Sequence, residues 1–303
     1  MKAAVLPAVD APFELRDVPD PEPGEEQALV SVRASGLNFL DLLIRRGRYP
    51  QMPELPAVLG SELAGELDDG TRVMALVRGG AYAELAAVEK AALVPLPEEA
   101  SFAEGAAFLL TFLTAYIPLT RQVRLQDDAT VLVHAAAGGV GTAAIQVART
   151  LGARVVAAVG SEEKQGLCRE LGAEEAYVYD EVPEELRVDV VVDPVGGELF
   201  EAAIGRLRPL GQLVAIGYAG GFWPELQPAQ VVGRSVGVQG VYLGRLVRLA
   251  PDVVAAATGE LLELWRSGAI RPVVGAEVPL AEVEDAHELV ESRRSVGKVV
   301  LLP

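Results

Sequence analysis

The sequence predicts an α/β protein in which a doubly wound parallel sheet is inserted into a β-rich domain. The chain has 303 residues, half of them hydrophobic, which is enough for two packed domains of about 150 residues each. Apolar runs before residue 100 are short and interrupted, whereas residues 129–216 alternate strands with helices. We therefore predict a first domain formed by residues 1–112 and 243–303, and a second formed by residues 113–242.

The first hundred residues predict short strands and one helix. Their apolar runs are rich in Val, Leu and Ala and are separated by Pro and Gly, a pattern typical of strands and turns. A helix is expected from Asn38 to Arg46, because Asn38 can cap it and apolar residues recur on one side. The strands are expected over residues 2–6, 13–18, 27–34, 62–67, 71–77 and 81–88.

From residue 129 onward, continuous apolar runs alternate with helical stretches, as in parallel strands buried on both faces of a sheet. Strands are expected over residues 131–134, 154–159, 177–179, 188–193, 212–216 and 235–242. Helices are expected near 101–120 and over 139–151, 161–171, 197–206, 251–267 and 281–292. The chain ends with a predicted strand over 298–302.

The charge and composition exclude several classes of function. The net charge is −17 without any cluster of Lys or Arg, so the surface repels nucleic-acid backbones and anionic membranes. The longest apolar run, residues 106–119, is shorter than the roughly 20 residues that cross a bilayer. We expect a cytoplasmic protein without nucleic-acid or membrane partners. One Asn and three Met favour a thermostable protein, because thermolabile residues are scarce; a biased genome composition is the alternative explanation.

Cysteine and histidine are too few for a metal centre built from them. Cys168 is the single cysteine, and His134 and His287 are the two histidines, so an internal disulfide and a Cys- or His-rich zinc site are excluded. His134 is expected to pack or hydrogen-bond beside the loop after its strand. Cys168 is expected to be a small hydrophobe on the helix after the second strand of the parallel sheet. His287 is expected to be a surface residue of an amphipathic helix rich in Glu.

A glycine-rich segment follows the first strand of the predicted parallel sheet. It reads Ala135-x-x-Gly138-x-x-Gly141 and opens a helix, which is the context of a dinucleotide fingerprint. Gly138 allows a tight turn, Gly139 lets the backbone approach a pyrophosphate, and Gly141 lets the helix pack closely on the strand. The alternative is a glycine-rich turn without a ligand. We favour a bound dinucleotide.

The end of the second strand indicates which dinucleotide is bound. An NAD-selective site places Asp or Glu there, whereas this chain has Gly160 and Ser161, with Lys164 one helical turn later. Ser161 and Lys164 can both donate hydrogen bonds to a 2′-phosphate, so the sequence favours NADPH. The alternative is a solvated helix start, which the adjacent Glu162 and Glu163 support.

Several motifs along the chain carry a family resemblance. They are Gly36-Leu37-Asn38-Phe39-Leu40-Asp41, Arg45-x-Gly47-x-Tyr49-Pro50, Leu59-Gly60-Ser61-Glu62, Leu113-Thr114-Ala115-Tyr116, Asp193-Pro194-Val195-Gly196-Gly197 and Glu291-Ser292-Arg293-Arg294-Ser295-Val296-Gly297-Lys298. With them the chain resembles the zinc-free NADPH:quinone oxidoreductases, the zeta-crystallin-like branch of the medium-chain dehydrogenase/reductase superfamily. The resemblance implies a Rossmann domain inserted in a GroES-like catalytic domain. It also implies no zinc, because Asn38 and Ser61 stand where zinc-bearing relatives carry a cysteine and a histidine ligand.

The resemblance also implies roles for individual residues. Asn38 and Tyr49 are expected to line the nicotinamide pocket and to hydrogen-bond the substrate carbonyl, and Leu43 replaces a second pocket tyrosine of some relatives. The alternatives without a catalytic role are that Asn38 serves as the cap of its helix alone and that Tyr49 is an ordinary aromatic residue of a loop. The expected cofactor-binding residues are Asn38, Thr114, Gly138, Gly139, Val140, Gly141, Gly160, Ser161, Lys164, Tyr179, Gly217 and Arg293.

The predicted activity is hydride transfer from NADPH to a quinone. Quinones are strong oxidants, so the protein needs to position the two rings, exclude water and donate hydrogen bonds to the reduced oxygen. One alternative is a zinc-free reductase of activated C=C bonds in enals or enoyl thioesters. Another is a non-catalytic, NADPH-binding structural module. The apolar stretch 235–242 is the expected edge strand of the sheet, and we expect a homodimer paired across it.

Overall fold

The computed structural model describes residues 1–223 and 225–303 and divides into two compact units. Unit 1 consists of Met1–Leu110 and Pro272–Pro303, and unit 2 of Thr111–Arg271. The first boundary lies two residues from the predicted one. The second differs, because residues 243–271 belong to unit 2 rather than to the first domain. Within the described residues, no helix combines the length and the apolar character needed to cross a bilayer.

Unit 1 is rich in β structure. Numbered along the chain, its strands are β1 (Lys2–Leu6), β2 (Glu14–Asp17), β3 (Gln27–Leu37), β4 (Ala57–Val58), β5 (Glu62–Glu66), β6 (Arg72–Leu76), β7 (Leu85–Glu89), β8 (Leu93–Pro95), β15 (Val274–Pro279) and β16 (Lys298–Leu302). Its helices are α1 (Phe39–Arg45), α2 (Phe102–Ala106) and α10 (Val283–Glu291). The six strands predicted for the first hundred residues are each present, and β4, β8 and β15 are additional.

Two sheets form unit 1. One has the order β2-β1-β4, and the other the order β15-β16-β3-β5-β6-β8, with β7 also pairing with β3. β3 is central: it pairs antiparallel with β16 at one end, with β7 at the other, and with β5 along its length. The carboxyl end of β3, the amino end of β5 and β16 therefore lie side by side, which brings Leu37, Glu62 and Lys298 into one region of the sheet.

Unit 2 is a doubly wound parallel sheet, as predicted. Its strands are β9 (Thr130–Val133), β10 (Arg154–Val159), β11 (Glu175–Val178), β12 (Val188–Asp193), β13 (Leu207–Ala215) and β14 (Gly237–Gly240). The helices are α3 (Leu109–Ile117), which begins at the unit boundary, α4 (Gly139–Thr150), α5 (Gln165–Glu170), α6 (Gly197–Arg206), α7 (Pro228–Arg234), α8 (Leu243–Leu249) and α9 (Pro251–Arg266). The strand order is β11-β10-β9-β12-β13-β14, with every pair parallel.

The position of residues 243–271 has a physical explanation. Arg121 donates two hydrogen bonds to the Glu260 carboxylate of α9 at 2.6 and 2.7 Å. The Gln146 amide of α4 both donates to and accepts from the backbone of Arg271 at 2.9 Å. The Arg149 side chain donates to the Ala269 carbonyl at 2.9 Å. These contacts join the segment to unit 2, and none of them is visible as a change in sequence composition.

His287 is buried, which corrects its predicted place on the surface. Its side chain is 0% exposed on α10, with ring centroids 4.7 Å from Phe13 and 6.1 Å from Tyr82. Neither ring nitrogen has a hydrogen-bond partner. Burial lowers the pKa of His287 to about 3, and the positive charge of Arg45 adds to the effect. The acidic residues of α10 suggested a solvated face, but the histidine lies on its apolar side.

We expect His287 to make the protein sensitive to acid. The folded state holds the ring neutral down to a pKa of about 3, whereas the unfolded chain takes up a proton near 6.5. Stability is therefore lost as pH falls through this window, by about 1.4 kcal/mol per pH unit. His287→Leu removes this loss, so between pH 6.5 and 4 its free energy of unfolding falls by about 3 kcal/mol less than that of the wild type. Urea unfolding at several pH values measures the two slopes, and parallel curves would contradict the assignment.

Candidate active site

The loop between β9 and α4 has the geometry that its glycines predict. Gly138 caps α4 in an extended conformation, and its N–H donates to the Ala135 carbonyl at 2.8 Å. A Cβ at Gly141 would lie 2.2 Å from that carbonyl oxygen and 2.7 Å from the Ala136 backbone, so only glycine fits there. The first N–H groups of α4, from Gly139 onward, have no partner within the helix and face the loop. This end of the helix is suited to a phosphate anion.

Hydrogen bonds with side chains on neighbouring parts of the sheet hold this loop in place. The Tyr179 hydroxyl accepts a hydrogen bond from the Ala135 N–H at 2.9 Å. The buried His134 Nδ1 lies 3.2 Å from the Asp193 carboxylate, which also accepts the backbone N–H groups of Val195 and Gly196 at 3.0 and 3.2 Å. The structure therefore confirms His134 as a hydrogen-bonded neighbour of the loop. The contact of Tyr179 with the loop backbone was not predicted.

The segment after β10 has an open backbone and competing charges. A Cβ at Gly160 would meet no atom within 4 Å, and Ser161 is extended before the 3₁₀ turn Glu162–Lys164. Partial burial lowers the pKa of Lys164. A hydrogen bond with Ser161 lowers the pKa of the exposed Glu163, so a negative charge lies beside the residues expected to bind a 2′-phosphate.

Most of the predicted cofactor residues of unit 2 lie along the edge of the sheet that is formed by the carboxyl ends of its strands. Because all six strands are parallel, the loops after their carboxyl ends share this edge, where ligands of doubly wound sheets bind. Gly217 follows β13, and a Cβ there would lie 3.1 Å from the Pro194 carbonyl after β12. The residues at this edge are Gly138, Gly139, Val140, Gly141, Gly160, Ser161, Lys164, Tyr179 and Gly217. Thr114 is buried in α3.

Unit 1 contains a buried polar cluster around Asn38. Asn38 is 7% exposed, and its side-chain Nδ2 donates to the Glu62 Oε1 at 2.9 Å and to the Gly36 carbonyl at 3.2 Å. Its Oδ1 accepts a hydrogen bond from the Lys298 ammonium, which also donates to Glu62 Oε1. Both amide hydrogens and the amide oxygen of Asn38 are therefore engaged inside unit 1. The Asn38 side chain does more than cap α1.

Asp41 extends this cluster toward the start of α1. Its carboxylate accepts the Asn38 N–H at 2.8 Å, the Tyr82 hydroxyl at 3.1 Å and the Ser61 hydroxyl at 3.3 Å. Complete burial raises the pKa of Asp41 to about 6, an effect opposed by the hydrogen bonds from Asn38 and Tyr82 and by the positive charge of Lys298. Burial and the negative charge of Asp41 raise the pKa of Tyr82, so its phenol stays protonated and donates. The structural roles of Asp41, Glu62 and Lys298 were not predicted.

The remaining predicted residues of unit 1 differ in burial. Tyr49 is half-buried against the core cluster that includes Leu42 and Phe13. Arg293 is exposed just after α10, with a left-handed backbone at φ +59°. Among the described residues, no group of three or more His, Cys, Asp or Glu side chains is arranged to hold a metal ion.

Comparisons with known proteins match both units. Residues 24–98 match the alcohol dehydrogenase GroES-like domain, and residues 139–259 match the zinc-binding dehydrogenase family. The quinone oxidoreductase of Pseudomonas aeruginosa is 36% identical over 96% of this chain and 95% of its own length. The chain belongs to the medium-chain dehydrogenase/reductase superfamily. This confirms the predicted fold, a parallel Rossmann-type sheet combined with a GroES-like domain.

Two further proteins that this chain resembles have different names. The quinone oxidoreductase from Thermus thermophilus, whose structure is also known in complex with NADPH, is 44% identical, with a TM-score of 0.93 and 100% of both chains covered. The human synaptic vesicle membrane protein VAT-1 homolog is 34% identical over 96% of this chain and 82% of its own length. Relatives of this chain therefore include both quinone oxidoreductases and a synaptic vesicle membrane protein homolog.

Proposed function

We propose that this chain is an NADPH-dependent quinone reductase that works without zinc. The observation that carries the proposal is the loop from Ala135 to Gly141, where a side chain at position 141 would collide with the backbone. Such close packing of a helix start on a strand end is what a bound pyrophosphate requires. Similarity to quinone oxidoreductases along the whole chain supports the choice of acceptor.

The residues present fit NADPH. The α4 start, Gly138 to Gly141, would hold the pyrophosphate, and Ser161 with Lys164 would hold the 2′-phosphate. Gly160 and Gly217 leave room for the backbone to approach the cofactor, Tyr179 would flank the adenosine, and Thr114 and Arg293 would contact the nicotinamide side and a phosphate. When bound, NADPH supplies the hydride that the acceptor receives.

The side chains of unit 1 would orient the acceptor. Both hydrogens of the Asn38 amide are already donated to Gly36 and Glu62, so we assign donation to the substrate oxygen to the Tyr49 hydroxyl. Asn38 keeps its proposed place in the wall of the nicotinamide pocket. The chain needs no Lewis acid for this reaction, because a quinone is a strong oxidant whose reduced oxygen can take its proton from water.

A panel of acceptors tests the proposal. The oxidation of NADPH is followed by the loss of its absorbance at 340 nm. With NADPH in excess, we expect this oxidation to be fastest with a small quinone and much slower with a 2-alkenal or an enoyl thioester. Gly141→Ala is the control, because its Cβ would lie 2.2 Å from the Ala135 oxygen and should abolish NADPH binding. Preference for the alkenal would make the protein a C=C reductase. NADPH binding without turnover for any acceptor would make it a non-catalytic module.

Lys164 should decide the preference for NADPH over NADH. A charge-assisted hydrogen bond contributes about 1.5–3 kcal/mol, so Lys164→Gln should lower the ratio of the two kcat/KM values at least about tenfold. Glu163→Gln should raise the ratio, since it removes a negative charge beside the phosphate. Glu170→Gln, an exposed change on α5, serves as the control. An unchanged ratio in Lys164→Gln would remove the 2′-phosphate assignment.

We also propose a homodimer paired through residues 235–242. β14 is an edge strand of the six-stranded sheet, and edge strands are sites of pairing between chains. Apolar side chains on nearby elements are exposed, among them Val232, Tyr242 and Leu249. Light scattering should give twice the 31.9 kDa of one chain across the micromolar range. A mass of one chain at every concentration would rule out the dimer.

A further inference from the structure

Lys298 is a buried ammonium in an apolar strand. It opens β16, whose next three residues are Val299, Val300 and Leu301, and it is 4% exposed. Its ammonium contacts two oxygens, the Oδ1 of Asn38 and the Oε1 of Glu62. Burying such a charge is unfavourable unless it is paired. The pairing therefore has to be maintained whenever unit 1 is folded.

Both carboxylate oxygens of Glu62 accept hydrogen bonds. Its Oε2 accepts the Leu110 N–H at 3.1 Å, while Oε1 accepts from Asn38 and Lys298. A Cβ at Gly36 would lie 2.7 Å from Glu62 Oε1 and 2.1 Å from the Ala106 carbonyl. The glycine at position 36 thus makes room for this carboxylate beside β3.

The pair fixes which end of the Asn38 amide points where. Lys298 can only donate hydrogen bonds and an ionised Glu62 can only accept them. Rotating the amide by half a turn would place Nδ2 against the ammonium and Oδ1 against the carboxylate, so both contacts would become repulsive. A salt bridge that served stability alone could be replaced by apolar side chains with little loss.

We propose that Lys298 is a positioning residue that, together with Glu62, locks the orientation of the Asn38 amide in the wall of the nicotinamide pocket. This inference rests on the proposed function only for the place of Asn38 in the pocket. If the amide is released, its hydrogens no longer bond only Gly36 and Glu62, and the side chain can turn toward the bound molecules and change the pocket wall. Turnover should then fall, while NADPH binding, which we assign mainly to unit 2, should persist.

The single asparagine of the chain allows a direct test of the orientation. Labelling with asparagine that carries ¹⁵N in the side chain gives one pair of Nδ2 hydrogen signals. In the wild type we expect two separate signals with slow exchange against water, because both hydrogens are bonded and buried. In the double variant Glu62→Gln/Lys298→Met, which removes both charges, we expect the two hydrogens to exchange with water at least about tenfold faster.

Kinetics of the same proteins separate positioning from stability. Lys298→Met alone leaves Glu62 buried without its cation and should unfold at lower urea concentration. The double variant should recover most of that stability. Its kcat with a quinone should nevertheless be at least about tenfold lower than the wild-type value, and its Kd for NADPH should lie within about threefold of wild type. Lys90→Met, at an exposed lysine that donates to the Glu25 carbonyl, is the matched control.

The possible results are distinct. A double variant with wild-type kcat, or with unchanged Asn38 signals, would overturn the positioning role. If Lys298→Met does not fold, the double variant still decides between the two outcomes. A wild type that reduces no acceptor would refute the proposed function, whereas the Asn38 signals would still report whether Lys298 and Glu62 fix the amide.

Discussion

The requirement that buried charges be paired organises unit 1. Glu62 and Lys298 lie on β5 and β16, on either side of β3, and Asp41 lies in α1 directly after it. A charge removed from water is tolerated only with close partners, so the ends of these elements have to meet with little freedom of register. The pairing of Val299 with Leu37, one residue from Lys298 and Asn38, is the register that brings the ammonium to the amide.

The two units bind polar groups in different ways. In unit 2 the groups at the sheet edge are largely backbone N–H groups, set by Gly138, Gly141 and the left-handed Ala135. In unit 1 they are side chains that satisfy one another. A backbone site depends on a few glycines that lie close together in the sequence. The dinucleotide fingerprint could therefore be predicted from the sequence alone. A side-chain cluster depends on residues up to 260 positions apart, as with Lys298 and Asn38.

The limits of the sequence-based prediction follow from this difference. The parallel sheet could be predicted because its strands are continuous apolar runs, and α4 because its loop is local. His287 could not be placed, because its burial is created by Phe13 and Tyr82, which are distant in sequence. Lys298 gave one available signal, a lysine in an apolar strand of a chain with four lysines. A charged residue where a core position is expected indicates a buried partner.

Tyr82 contacts two buried groups whose ionisation changes stability with pH, Asp41 and His287. Its hydroxyl donates to Asp41 at 3.1 Å and its ring packs on His287. Burial raises the pKa of Asp41 to about 6, so the stabilisation associated with its protonated form is lost as pH rises from about 4 through 6. The contribution of His287 has the opposite sign, being lost as pH falls from 6.5 toward 3. Because the windows overlap between about 4 and 6, the two contributions oppose each other there, and only a variant of one residue reveals either slope.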